Sequence, residues 1–165
     1  FSELIEHVES RLSLIPRFRQ RITSVGAIAL NNPVWADDPR FDIERHVRRV
    51  ALPSPGGAKE LRELVGRVMS EPLDMERPLW QLYMIEGLSG RHAYISKTHH
   101  ALVDGVAAVD VGTILLDTTK RGTGFSLPEP PWDPDEPSPT MLLTLKDRQA
   151  IVMRPDATAK NVIAV

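Results

Sequence analysis

The chain contains no cysteine. That absence removes a disulfide framework, a thiolate nucleophile and every cysteine-based metal site, and it suits a reducing compartment. No apolar run approaches the roughly 18 residues of a membrane span, and no signal-peptide pattern is visible. Charge of one sign is lacking too. A formal net charge of −2 over 165 residues gives no drive toward nucleic acid. Internal repeats are absent. What remains is ordinary globular composition, 42% hydrophobic and 25% charged, in a length that suits one domain with a real core. The first residue is Phe1, directly ahead of a helical pattern, so further sequence is expected upstream.

Hydrophobic spacing predicts alternating helices and strands. Ser2 is placed to cap a first helix that carries Leu4, Ile5, Val8, Leu12 and Ile15, and Pro16 ends it. Residues 17–22 alternate as a strand does, with Arg17, Arg19 and Arg21 on one face and Phe18 and Ile22 on the other. Residues 31–33 and 37–39 read as turns. Residues 43–52 read as a second strand, and residues 58–69 as a helix through Leu61, Leu64, Val65 and Val68. Residues 79–85 and 92–98 read as a hairpin around residues 87–90, followed by a buried helix over 105–116. The expected architecture is a mixed α/β layer with some antiparallel pairing. Residues 127–139 hold six prolines and four acidic residues and read as a semi-rigid connector. A connector implies a second domain beyond it.

His99-His100-Ala101-Leu102-Val103-Asp104-Gly105 falls where the last predicted strand meets the helix. Asp104 stands where a carboxylate accepts from free helix N–H groups. A connection held at both ends keeps an imidazole in one pose, and histidine takes up protons near neutral pH. The alternative is a pair of histidines that only pack. A metal site is disfavoured, because adjacent residues of an extended segment point apart, whereas chelating pairs on a helix are spaced i, i+4. Gly87-Leu88-Ser89-Gly90 falls short of GxSxG, since Arg91 stands at the second glycine, so Ser89 reads as a turn residue. Arg17, Arg19, Arg21, Arg45, Arg48 and Arg49 are candidates for phosphate or an anionic surface, or are simply solvated.

HHxxxDG resembles the motif of the acyltransferases with the chloramphenicol acetyltransferase fold, a superfamily that includes the condensation domains of peptide synthetases. Pro78-Leu79-Trp80 ahead of it narrows the resemblance to the bacterial wax ester synthase/diacylglycerol acyltransferase family. The resemblance covers roughly residues 1–139. It implies a two-layer α/β domain of α+β type with a mixed sheet, one half of a two-domain protein. Residues 1–126 would form the N-terminal domain and 127–139 the connector. Residues 140–165 would hold a helix and the start of a C-terminal domain. It implies long-chain acyl-CoA as co-substrate, no bound cofactor or metal, and diacylglycerol or a long-chain alcohol as acceptor. His100 would be the general base, His99 its support, and Asp104 a loop-fixing group. Pro78, Leu79, Trp80 and Gly105 would lie against substrate. The protein would be cytoplasmic and work peripherally at the membrane or a lipid inclusion. Alternatives are a condensation-type domain acting on carrier-bound acyl groups and a non-catalytic lipid-binding relative.

Overall fold

The computed structural model describes residues 1–24, 33–102, 114–115 and 158–164. A four-stranded sheet dominates, in the order β3-β4-β5-β6. Its members are β3 (Val47–Ala51), β4 (Trp80–Leu88), β5 (Arg91–His99) and β6 (Thr158–Ala164). The strands β3 and β4 run parallel, with Val47 beside Leu82 and Val50 beside Ile85. Their connection carries the helix α3 (Ala58–Ser70), as a parallel crossover requires. The strand β5 pairs antiparallel with both β4 and β6. The sheet is therefore mixed, as expected. Two short strands, β1 (Gln20–Thr23) and β2 (Val34–Asp37), form a separate antiparallel pair.

Both faces of the large sheet are covered, and strand alternation sorts the residues between them. Trp80 and Leu82 of β4 join Val47, Val8, Leu12 and Phe18 in one buried cluster. Tyr83 and Ile85 join Ala93 and Ile95 of β5 against Leu64 and Val68 of α3 in another. Ile85 and Ile95 are completely buried, each worth about 1.5–3 kcal/mol over exposure. The helix α3 opens with Glu60 accepting the Gly57 N–H at 2.8 Å, which satisfies one free donor at the helix start. Gly56 has φ +71 and packs so tightly that an added Cβ would lie 1.9 Å from the Gly87 carbonyl oxygen. Only glycine fits there.

Several boundaries differ from the sequence reading. The first helix, α1 (Ser2–Arg11), has Phe1 at its cap position, so Ser2 lies inside the first turn and does not cap it. The chain then tightens into 3₁₀ turns at Leu12–Leu14 and Pro16–Arg19. Pro16, with its fixed φ, starts a helical turn rather than a strand. Arg17 and Arg19 therefore do not share a strand face with Arg21. The predicted strand over residues 43–52 begins as one helical turn, α2 (Ile43–His46), because the Asp42 side chain accepts from the Glu44 N–H and caps it. The hairpin is longer than expected and closes through Ser89 and Gly90, both at positive φ. Of the predicted helix over 105–116, residues 114–115 are described and are helical. The proline-rich segment 127–139 and the helix expected near residue 142 lie outside the described residues. The strand β6 lies in a stretch where the residue pattern predicted none.

Candidate active site

The histidine pair sits at the end of β5. His99 is the last strand residue, and its N–H donates to the Leu79 carbonyl at 2.9 Å. The chain then turns. The Ala101 N–H donates to His99 Nδ1 at 3.1 Å, and the Leu102 N–H donates to the His99 carbonyl at 2.9 Å. Three hydrogen bonds thus converge on one residue. The two rings meet different surroundings: His99 is buried and His100 is exposed. A donor at Nδ1 makes that nitrogen the acceptor of a neutral ring and leaves the proton on Nε2. Nε2 is buried and has no partner among the described residues. Burial pushes the His99 pKa below the usual value, and the neighbouring His100 adds to the effect. His99 is therefore a neutral anchor.

Leu79 and Trp80 support this turn from below, and both are fully buried. The Trp80 indole N–H donates to the Phe18 carbonyl at 2.8 Å, and its ring packs against Phe18 with centroids 5.1 Å apart. His46 also stacks on Trp80, with ring centroids 4.7 Å apart. The His46 Nδ1–H donates to the Trp80 carbonyl at 2.8 Å. Burial lowers the His46 pKa, opposed by the Trp80 carbonyl and by Asp38. Leu79, expected against substrate, has its side chain in the core and its carbonyl on the histidine turn. Pro78 and Trp80 border a cleft of about 210 Å³, together with Arg45, His46, Arg48, Leu73, Asp74, Arg77 and Gln81.

The arginines divide into two sets. Arg17 lies 5.0 Å over the Trp35 ring and donates to Gln20 at 3.1 Å. Burial lowers the pKa of Arg17 and of Arg19. Arg21 approaches Asp38 at 3.9 Å. These three are half-buried and engaged with the protein. Arg45, Arg48 and Arg49 are exposed.

Asp104 and Gly105 lie outside the described residues. Among those described, no group of three or more histidine, cysteine or carboxylate side chains is gathered to hold a metal. Lys97 belongs to no motif, yet it is a structural residue. It is 1% exposed, and its ammonium donates to the Val68 carbonyl at 2.7 Å and to the Glu71 carbonyl, closing the end of α3. Its signal was legible: Lys97 shares strand parity with the inward-facing Ala93 and Ile95. His46 carried no comparable signal, because its partner Trp80 is 34 residues away.

Residues 1–165 match the family described as the wax ester synthase/diacylglycerol acyltransferase catalytic domain. The chain is 44% identical over 163 residues to a Mycobacterium tuberculosis protein named "Probable diacyglycerol O-acyltransferase tgs3", covering 98% of this chain and 59% of that protein. It is 44% identical over 108 residues to "Probable diacyglycerol O-acyltransferase tgs2" of the same species, covering 65% of this chain and 24% of that one. Among solved structures it resembles the wax ester synthase/diacylglycerol acyltransferase of Marinobacter aquaeolei VT8. There the TM-score is 0.61 and the identity 35%, over 82% of this chain and 31% of that one. The first condensation domain of the calcium-dependent antibiotic synthetase shares the fold, with a TM-score of 0.56 at 18% identity over 69% of this chain and 27% of that one. The chain thus spans about three-fifths of tgs3 and under a third of the Marinobacter enzyme.

Proposed function

Because the chain belongs to the wax ester synthase/diacylglycerol acyltransferase family, we propose that the protein it comes from transfers a long-chain acyl group from coenzyme A to the hydroxyl of a diacylglycerol or a fatty alcohol. The products are an ester and free coenzyme A. An alcohol is a weak nucleophile until its proton is being removed, and His100 is the base that takes it. The alcohol oxygen forms the new bond to the thioester carbonyl carbon, the carbon–sulfur bond breaks, and the departing thiolate recovers the proton from the His100 imidazolium. Histidine cycles between its two states, so no acyl-enzyme is needed. Asp104 holds the loop, Gly105 allows close approach, and Pro78 and Trp80 wall the substrate space. Residues 127–139 carry the chain across to a second domain, and the reaction takes place between the two.

The observation that carries this reading is the exposed His100 on a turn pinned through three hydrogen bonds of its neighbour. A turn whose backbone is already held needs little reorganisation to bring the ring it carries to a hydroxyl. The test uses the full-length protein with radiolabelled acyl-CoA and diacylglycerol, and then a fatty alcohol. His100→Ala is expected to lower ester formation by about 10²–10⁴-fold, the usual worth of a general base, with thermal melting unchanged. A variant that melts normally and keeps activity within a few-fold removes His100 from the chemistry.

A further inference from the structure

We propose that the cleft walled by Arg45, Arg48 and Arg77 binds a phosphate group, and that the phosphates of the acyl-CoA co-substrate are the source. The choice of source rests on the acyl-transfer reading; the phosphate site itself does not.

Two of the three arginines are placed by the same device used twice. Asp42-Ile43-Glu44-Arg45 and Asp74-Met75-Glu76-Arg77 share the pattern Asp-X-Glu-Arg. In the first, one Asp42 oxygen accepts the Glu44 N–H at 3.1 Å and the other accepts Arg45 Nε at 3.0 Å. In the second, one Asp74 oxygen accepts the Glu76 N–H at 3.0 Å and the other accepts Arg77 Nε at 3.1 Å. Each aspartate is thus tied to backbone on one side and to a guanidinium on the other. The two stretches lie far apart in sequence, yet their arginines line one cleft. Arg48, on β3, joins them, its Nε donating to the Arg45 carbonyl at 3.1 Å.

These pairs do not exhaust the arginines. A guanidinium carries five N–H donors in a rigid fork, and Nε supplies one of them. Both aspartates are about half exposed, so water screens the pairs, and their effect is to aim the fork rather than to neutralise it. Three cationic side chains and one carboxylate, that of Asp74, line the cleft. A planar fork with remaining paired donors matches phosphate oxygens.

Size and position narrow the ligand. About 210 Å³ is smaller than the roughly 300–1,000 Å³ that encloses a whole drug-sized molecule, so the cleft takes one group of a larger one. Its walls include Leu73, Pro78 and Trp80, which suits a phosphate joined to an organic body. The cleft is linked to the histidine turn through the start of β4. Trp80 pairs with Thr98 across the β4–β5 ladder, and Leu79 holds His99. A phosphate bound here lies beside the strand ends that carry the proposed base.

The test uses full-length protein and two probes: coenzyme A by titration calorimetry, and phosphatidylglycerol vesicles by flotation. The variants are Arg45→Gln/Arg77→Gln and the exposed Arg48→Gln. The double variant is expected to weaken coenzyme A binding at least tenfold, and Arg48→Gln several-fold, with the wild-type affinity falling as salt rises. If the double variant melts early, Arg48→Gln decides alone. Lost vesicle binding with unchanged coenzyme A affinity keeps the phosphate site but assigns it to a lipid headgroup and overturns the coenzyme A assignment. Wild-type affinity for both probes in folded variants, or no binding of either probe by the wild type, overturns the site. Arginine-dependent coenzyme A binding by a wild type that forms no ester sinks the acyl-transfer reading instead. Normal ester formation with arginine-independent binding sinks only this site.

Discussion

Two adjacent histidines with the same side chain have opposite surroundings, and backbone bonding is what separates them. His99 ends a strand and accepts an N–H two residues on, so it is held neutral and buried. His100 lies on the turn and reaches solvent. His46 is a second buried ring, with its Nδ1 proton committed to the Trp80 carbonyl. Burial is the largest cause of the lowered pKa at both His46 and His99. Each ring therefore binds its proton less readily in the folded chain than in the unfolded one. The unfolded pKa is about 6.5. Below it the unfolded chain takes up more protons, so stability is fully present above about pH 6.5 and is lost as pH falls through the lowered folded values. Urea melts at pH 7.5, 6.5 and 5.5 are expected to show decreasing stability. His46→Gln should flatten that dependence even if it lowers stability throughout. A slope identical to wild type would mean that His46 contributes nothing to it.

At the level of elements, two small features hold the scaffold in register. Lys97 donates to carbonyls at the end of α3, where a helix leaves acceptors without intrahelical partners. Burial lowers its pKa, against the pull of Glu71. Lys97→Met keeps the volume and strands those carbonyls, which is expected to cost about 1–3 kcal/mol in denaturant unfolding. A loss below about 0.5 kcal/mol would show that water replaces the ammonium there. The hairpin turn offers the opposite change. Ser89 has φ 45, in a left-handed conformation that costs ordinary residues about 1–2 kcal/mol and that asparagine tolerates better. Ser89→Asn is expected to stabilise by up to about 1 kcal/mol, read as a higher urea midpoint at constant slope. A lower midpoint would mean that the serine makes a compensating contact.

For the molecule as a whole, the acceptors proposed are nearly insoluble in water, while no helix among the described residues is long and apolar enough to cross a membrane. Contact with lipid then depends on surface chemistry. The arginines of residues 17–21 are half-buried against Trp35, Gln20 and Asp38, so they offer little free charge to a membrane. Full-length protein is expected to float with phosphatidylglycerol vesicles at low salt and to be released at high salt, as peripheral proteins are. Changing Arg17, Arg19 and Arg21 together to glutamine should leave flotation unchanged. Loss of flotation in a normally folded triple variant would restore that segment as the contact surface.

Local pattern was sufficient wherever the physics is local. The spacing of Leu61, Leu64, Val65 and Val68 specifies the buried stripe of α3, and the β-branched and aromatic residues Tyr94, Ile95 and Thr98 specify β5. The glycine-bearing turn between them and β4 specifies a hairpin. The motif from His99 to Gly105, together with Pro78-Leu79-Trp80 ahead of it, pointed to the family that residues 1–165 match. Pattern failed where a cap or a proline overrode it. Asp42 bent a strand-like run into a helical turn, and Pro16 did the same to residues 16–19. Tertiary structure alone decided which histidine is buried, because the carbonyl that pins His99 is that of Leu79, the residue just ahead of the neighbouring strand β4. It alone brought Arg45 beside Arg77 and His46 onto Trp80, since sequence distance says nothing about which chain segments a folded sheet places side by side.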